Sequence, residues 1–351
     1  MHEAPVIRRR KEVALPLFTF ASLSPALVIL IACWFGGLWA LAALIYMMFC
    51  VALLDRAGRL AKIERRPISN PFGAELLLVV EVILHVLTLI AAVFTAPGHT
   101  LSTAVLLTLA TGLFAGQVSH PAAHELIHAA SRKLRRLGIF AYSSMLIGHH
   151  ASAHRLVHHV HVATDLDPNS ARGGEGFYRF VIRASVGSFI AGHEAEAKRH
   201  PSIQSHPYAG YLAIGLACLI FAFMLSGWAG VLVFTAISLY AQVQIYLADY
   251  VQHYGLRRQT LDGQTEPVGP AHSWNAPHWY SAAMMLNAPR HSDHHINPAR
   301  SYPELTLDKS MPTLPSSLPV MAMFALWPPL WRRIMDPRVA RWQRSSTNNV
   351  E

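Results

Sequence analysis

Six stretches of roughly 18 to 20 residues, almost free of charge, decide what this chain can fold into. They lie at roughly 16–34, 37–54, 75–95, 101–118, 208–226 and 229–248. At about 1.5 Å rise per residue, each is long enough to cross a hydrocarbon core about 30 Å thick. Lipid offers a peptide group no hydrogen-bond partner, so such segments must pair their own backbones and read as α-helices. Composition agrees: of 351 residues, 52% are hydrophobic and 14% are charged, against about a quarter charged in soluble domains. The predicted class is an all-α integral membrane protein with six transmembrane helices and a histidine-rich cap, in one domain over residues 1–351.

Charge bias orients the spans. Arg8, Arg9, Arg10 and Lys11 precede the first, and Arg56, Arg59, Lys62, Arg65 and Arg66 follow the second. The tight links Phe35-Gly36-Gly37, Ala96-Pro97-Gly98-His99-Thr100 and Ser226-Gly227-Trp228 hold no Lys or Arg. Positive residues stay on the cytoplasmic face, so three helical hairpins dip into the membrane and both termini are cytoplasmic. The basic start imitates a signal peptide, but no small-residue cleavage site follows and a second apolar run comes at once. The first span is therefore read as retained. Between and after the spans lie a cytoplasmic insert at 119–207 and another at 249–311. A proline-broken apolar segment at 312–333 reads as interfacial or re-entrant, and about 343–351 as a disordered tail.

Histidines cluster where the spans end. They run His124-Glu125-Leu126-Ile127-His128, then His154 with His158 and His159, then His291 with His294 and His295; His253 follows the last long apolar run. Nine imidazoles are too many for one ion, which points to a two-metal site on the cytoplasmic face. On an α-helix, residues four apart share a face, so His124 pairs with His128 and His154 with His158, leaving His159 offset by about 100°. Neutral imidazole suits iron, zinc, copper or nickel. Oxygen activation is the main use for a metal site facing apolar substrate, and it favours iron. Glu125, Asp165, Asp167 and Asp293 are candidate acceptors for the distal ring N–H of a bound histidine. His2, His85, His99, His193, His200 and His206 read as ordinary polar residues, while His120, His149, His150, His161, His272 and His278 flank the clusters. Cys33, Cys50 and Cys218 lie inside spans without ligand spacing and read as core residues, so no iron–sulfur, haem or flavin centre is expected in this chain.

The motifs together resemble the membrane di-iron hydroxylases related to fatty acid desaturases, and within them the alkane 1-monooxygenases and the xylene monooxygenase hydroxylase component. Carrying the resemblance are His124 to His128, Ala153-His154-Arg155-Leu156-Val157-His158-His159 and Tyr250-Val251-Gln252-His253-Tyr254-Gly255-Leu256. His272-Ser273-Trp274-Asn275 and Arg290-His291-Ser292-Asp293-His294-His295 complete it. The resemblance implies two irons on the nine histidines, His253 included, with dioxygen as co-substrate. It implies electrons from rubredoxin or a ferredoxin-like donor with its NAD(P)H reductase, in a bacterial inner membrane. The implied reaction hydroxylates a terminal methyl of an n-alkane or alkyl chain drawn from the bilayer.

Ala129, Ala153 and Val157 depart from the alkane pattern, which usually has Lys, Glu and Gly there; they bear on substrate and leave every ligand position intact. Alternatives are an alkylbenzene methyl monooxygenase of the xylene type and an acyl-lipid desaturase or hydroxylase. A membrane zinc metalloprotease would account for the first cluster only. The basic excess, 29 against 20, fits anionic lipid and an acidic electron carrier. Without a recognition motif it does not point to nucleic acid.

Overall fold

The computed structural model describes residues 15–60, 71–202, 205–261 and 263–347. Arg8, Arg9, Arg10, Lys11, Lys62, Arg65, Arg66 and the side chain of Arg59, used above for orientation, lie outside the described residues. The architecture is helical. Among the described residues, regular strand is confined to a two-residue antiparallel pair, β1 (Thr260–Leu261) and β2 (Gln264–Thr265).

Among the described residues, five helices are long and apolar enough to cross a membrane. Four open the chain: α1 (Leu15–Phe35), α2 (Gly37–Gly58), α3 (Pro71–Thr95) and α4 (Leu101–His128). Then come α5 (Arg132–Ser144) and a short composite helix, α6, which joins His150–Ala153, a π-turn over His154–His158 and His159–His161. After α7 (Phe177–Arg199) follows the fifth, α8 (Pro207–His253), 47 residues long. Drawn straight, α8 would measure about 70 Å. It is not straight, because Ser226 and Gly227 leave helical geometry and Gly227 takes φ 58°. A Cβ on Gly230 would sit 2.4 Å from the Ala222 carbonyl, whereas eight residues of straight helix are about 12 Å apart. The chain therefore reverses at the predicted link, and α8 supplies two apolar legs. Gly36 turns α1 into α2 with nearly the same φ, 61°, a region that favours glycine.

The three hairpin tips sit together. His99 Nε2 lies 3.0 Å from the Cys33 carbonyl, and the Gly37 amide donates to Thr103 Oγ1 at 3.3 Å. The turn at Ala96–Gly98 also touches α8. Around these tips Trp34, Phe35, Leu38, Leu101 and Trp228 are 71–82% exposed, as aromatic and aliphatic groups are where a protein meets lipid. Small residues do the opposite. Ala21, Ala32, Ala40, Ala92 and Ala110 are fully buried, and such residues let helices approach closely where no water drives them together. Cys33 is buried and Cys50 and Cys218 half-buried, all three free.

Two expected boundaries move. The fourth helix continues to His128 rather than ending near 118, and the last leg of α8 continues to His253 rather than 248. The first cluster and His253 thus ride on prolonged spans instead of inserts. At about 42 Å, the 28 residues of α4 outrun a core of about 30 Å, which leaves the histidine end standing clear of it. The remaining elements cap that end: α9 (Trp279–Met284), α10 (His291–Ile296), α11 (Leu318–Ala325), which packs on α8, and α12 (Pro328–Thr347). The proline-broken stretch is thus helical in two short pieces. Helix α12 runs past the expected start of the tail: Gln343 donates to the Gly255 carbonyl at 3.0 Å, and only 348–351 lie outside the described residues.

Asp55, at the end of α2, fastens the cap to the bundle. Its Oδ1 accepts from the amides of Tyr280 and Ser281 at 3.0 and 2.9 Å, in the first turn of α9, where a helix has unpaired donors. Tyr46 and Ser24 extend the seam through the Tyr280 hydroxyl. Asp55→Ala would strand two buried amides at about 1–3 kcal/mol each. It is expected to lower the thermal midpoint of the protein in detergent, with Asp55→Asn milder. An unchanged midpoint in Asp55→Ala would refute the anchoring role.

Candidate metal centre

All nine clustered histidines meet at the capped end, in two groups. His124, His128, His154, His159 and His294 form one; His158, His253, His291 and His295 form the other. Helix α4 supplies the first pair, α6 three, α8 one and α10 three. The i, i+4 rule holds on α4 and on α10, where His291 and His295 share the second group. It fails on α6. There the His159 amide bonds to the His154 carbonyl, a five-residue turn that brings His154 and His159 to one side. The expected pairing of His154 with His158 is therefore corrected: they belong to different groups.

The nitrogens lie at hydrogen-bonding distance, but several have more ring neighbours than one nitrogen can serve. His154 Nε2 lies 2.9 Å from the Nε2 atoms of both His124 and His159, and His159 Nε2 is also 3.1 Å from His294 Nε2. In the second group His291 Nε2 is 3.0 Å from His253 Nε2 and 3.1 Å from His295 Nε2. An imidazole nitrogen carries one hydrogen or one in-plane lone pair, so His154, His159 and His291 can each satisfy one neighbour, not two. A shared cation resolves this. Two nitrogens each about 2.1 Å from one ion at right angles are about 3.0 Å apart, the spacing found here. His128 Nε2 and His158 Nε2, buried without a partner, complete the donor set. The groups adjoin, with the rings of His159 and His295 4.6 Å apart.

Electrostatics favour the metal-binding form of the rings. Burial, then neighbouring imidazoles, holds His154, His159, His294 and His295 well below the usual histidine range, and burial takes His291 to about 3. These rings stay neutral. His158 differs, because burial opposes its charge but the Asp167 carboxylate outweighs burial and raises it. Asp167 Oδ2 lies 2.8 Å from His158 Nδ1 and also accepts from Ser170 Oγ. With the proton held on Nδ1, the Nε2 lone pair faces the group.

Of the four candidate acceptors, only Asp167 takes that role. Glu125 Oε2 accepts from the Tyr302 amide at 2.9 Å. Asp165 is exposed and faces Arg172 and Arg257. Asp293 gathers Arg300, Asn297 and Thr306, folding the chain after α10 back on itself. In each case a nearby backbone or guanidinium donor captures the carboxylate before a ring can. Sequence reading missed Asp249, buried one turn before His253, whose Oδ2 accepts from Asn169 at 2.6 Å and ties the Asp167 loop to α8. An acid near the end of an apolar span was the available signal. The His272-Ser273-Trp274-Asn275 motif works through its partners: Asn275 Oδ1 accepts from the Ser292 amide beside His291. None of the flanking histidines joins a group; His120, for example, meets the Tyr142 hydroxyl at 2.9 Å.

Asp167→Asn keeps the shape but weakens the hold on the His158 proton. Replacing such an outer partner typically costs about 10–100-fold in metal affinity. The expected outcome is faster loss of bound metal to a chelator, followed by metal analysis, and equal retention would count against the assignment.

Comparison with known proteins identifies the family. The family model described as fatty acid desaturase matches residues 100–325, a range holding all nine histidines. The chain is 32% identical over 247 residues to alkane 1-monooxygenase 2 of Alcanivorax borkumensis, covering 68% of this chain and 64% of that protein. It is 33% identical to alkane 1-monooxygenase of Ectopseudomonas oleovorans over 65% of this chain and 59% of the relative. With the xylene/toluene monooxygenase hydroxylase component of Pseudomonas putida it shares 31% identity, over 68% of this chain and 66% of the relative. The matched region spans a little under two thirds of the length of these curated relatives. On the extent of the family match, which covers well over half of its length, the chain belongs to the fatty acid desaturase family.

Proposed function

We propose that this protein is a membrane hydroxylase that inserts one oxygen atom of dioxygen into a terminal methyl C–H of an n-alkane or alkyl chain, giving a primary alcohol. The observation carrying the reading is the pair of adjoining all-histidine groups on helices prolonged from a lipid-facing bundle. In this reading each group holds one iron, five histidines on the first and four on the second. The pair supplies oxygen activation, fed by two electrons from rubredoxin or a ferredoxin-like donor with its NAD(P)H reductase. The second oxygen atom leaves as water with two protons. The protein would lie in a bacterial inner membrane, crossing it six times if each leg of α8 crosses once, with its termini and histidine end in the cytoplasm.

The residues of the chain account for the rest. Asp167 holds the His158 proton away from the group, and the Asn169–Asp249 contact fixes the loop that carries Asp167. Asp293 with Arg300 pins the turn beyond α10, so His291, His294 and His295 keep their directions. Between the spans, Val86, Leu89, Phe140, Ala217, Phe221 and Phe234 line an apolar cavity of about 430 Å³. Walls of this kind accept a hydrocarbon and offer water little. The zinc-protease alternative finds no support, since His124 and His128 share a five-histidine group and the Glu125 carboxylate is turned to Tyr302. An alkylbenzene methyl group is the second reading, favoured by Ala153 in the second motif and by the xylene-type relative.

Purified protein is expected to carry about two irons per chain, with His294→Ala losing iron and turnover together. One zinc per chain, or full iron and activity in His294→Ala, would overturn the reading. Cells fed n-octane, dodecane and p-xylene should accumulate 1-octanol or 1-dodecanol, measured by gas chromatography. Methylbenzyl alcohol as the sole product would move the assignment to the second reading.

A further inference from the structure

Beside the second histidine group lies a cavity of about 330 Å³ whose lining includes Trp274, Lys309, Arg338, Arg341 and Trp342. No carboxylate lines it. Of the acids nearest in sequence, Asp336 accepts from the Tyr254 hydroxyl at 2.6 Å, and Asp308 from the Ser310 amide. Three cations thus face one concavity, with two indoles between them. Arg338 Nη1 also donates to the Ile334 carbonyl and Arg341 Nε to the Pro337 carbonyl, each one turn back along α12, which holds their guanidinium groups in place.

The inner wall of this cavity is hydrogen-bonded to the backbone on either side of His253. Trp274, 3% exposed, donates its backbone amide to the Gln252 carbonyl at 2.7 Å and its indole Nε1 to the Tyr254 carbonyl at 2.9 Å. Those two carbonyls flank His253, whose Nε2 lies 3.0 Å from His291 Nε2 in the second group. From indole to imidazole the path is one hydrogen bond and a short run of backbone.

We propose that this cavity is the docking site of a small acidic one-electron carrier protein, and that its electrons reach the second histidine group through Trp274 and the backbone of His253. The proposal rests on the hydroxylase reading above, which requires an external reductant. In each transfer the reduced carrier gives up one electron and leaves oxidised, and a metal held by His158, His253, His291 and His295 would be the acceptor. Two visits complete one turnover. Complementary charge selects the partner: a negative surface fits three converging cations, and such complementarity speeds encounter and fixes register.

Full-length protein in nanodiscs, with reduced rubredoxin as probe, provides the test. For the Lys309→Glu, Arg338→Glu double variant the Kd for rubredoxin is expected to rise at least tenfold, with iron content unchanged. An unchanged Kd would overturn the docking site. So would a variant that loses only its binding to phosphatidylglycerol vesicles, since the cluster would then be a lipid contact. If the double variant does not fold, the wild-type Kd decides: it should weaken steeply with ionic strength, and indifference to salt refutes the proposal. Trp274→Phe, which removes the indole N–H, should keep the Kd but slow electron transfer several-fold on rapid mixing; an unchanged rate takes Trp274 off the path. The hydroxylase reading fails separately, if wild-type protein makes no alcohol from dodecane with either rubredoxin or dithionite, and the Kd measurements still decide the docking site.

Discussion

Neutral imidazole nitrogens held about 3 Å apart, with more neighbours than hydrogens to share, are the constraint on which the rest of this structure depends. Left alone, such lone pairs repel and a buried polar atom without a partner is costly. The protein accepts this at nine positions, so every element carrying one of the rings must be held from outside the group. Helix α4 is braced by the bundle, α6 by Asp167 and its loop, α8 by Asn169 and Trp274, and α10 by Asn275 and the Asp293 cluster. The polar network of the cap is best understood as this bracing. Its hydrogen bonds fix directions that the imidazoles would not adopt by themselves.

The bundle works under the opposite demand. In lipid, the helices must satisfy their own backbones and can approach each other only through small residues. Alanines fill the helix contacts, while Leu38, Leu101, Trp34 and Trp228 face outward at the hairpin tips. One end of the molecule is therefore made for lipid contact and the other for chemistry. Asp55 is among the few groups that belong to both, an acid at the end of a span that caps a helix some 225 residues later.

Much of this was legible beforehand, because the signals are coarse and strong. Apolar length gave the long helices, and the charge-free links gave the turns, including the reversal at Ser226-Gly227. Histidine spacing picked out the nine rings that converge. Their division between groups was not legible, since it turns on one π-turn in α6, and a five-residue turn leaves no mark in the spacing of His154, His158 and His159. Nor could proximity in sequence choose the supporting carboxylates. Glu125 and Asp293 adjoin cluster histidines yet serve backbone and guanidinium donors, whereas Asp249, four residues from His253, supports the site through Asn169. Who captures a carboxylate depends on donors brought near by tertiary packing, and those are invisible to spacing.

The overlong α4 has one further consequence. Its far end is lodged among the hairpin tips, and with about 42 Å of length against about 30 Å of hydrocarbon its near end, with His124 and His128, would stand beyond the lipid core. The height of those two rings above the lipid is thus fixed by the difference between two lengths, that of the helix and that of the bilayer. Membranes differ in thickness by a few ångströms, and a spanning helix answers such mismatch by tilting or by deforming the lipid around it. A change of bilayer thickness would thus bear first on the span that carries the first histidine pair, and through it on the end of the molecule where the rings meet.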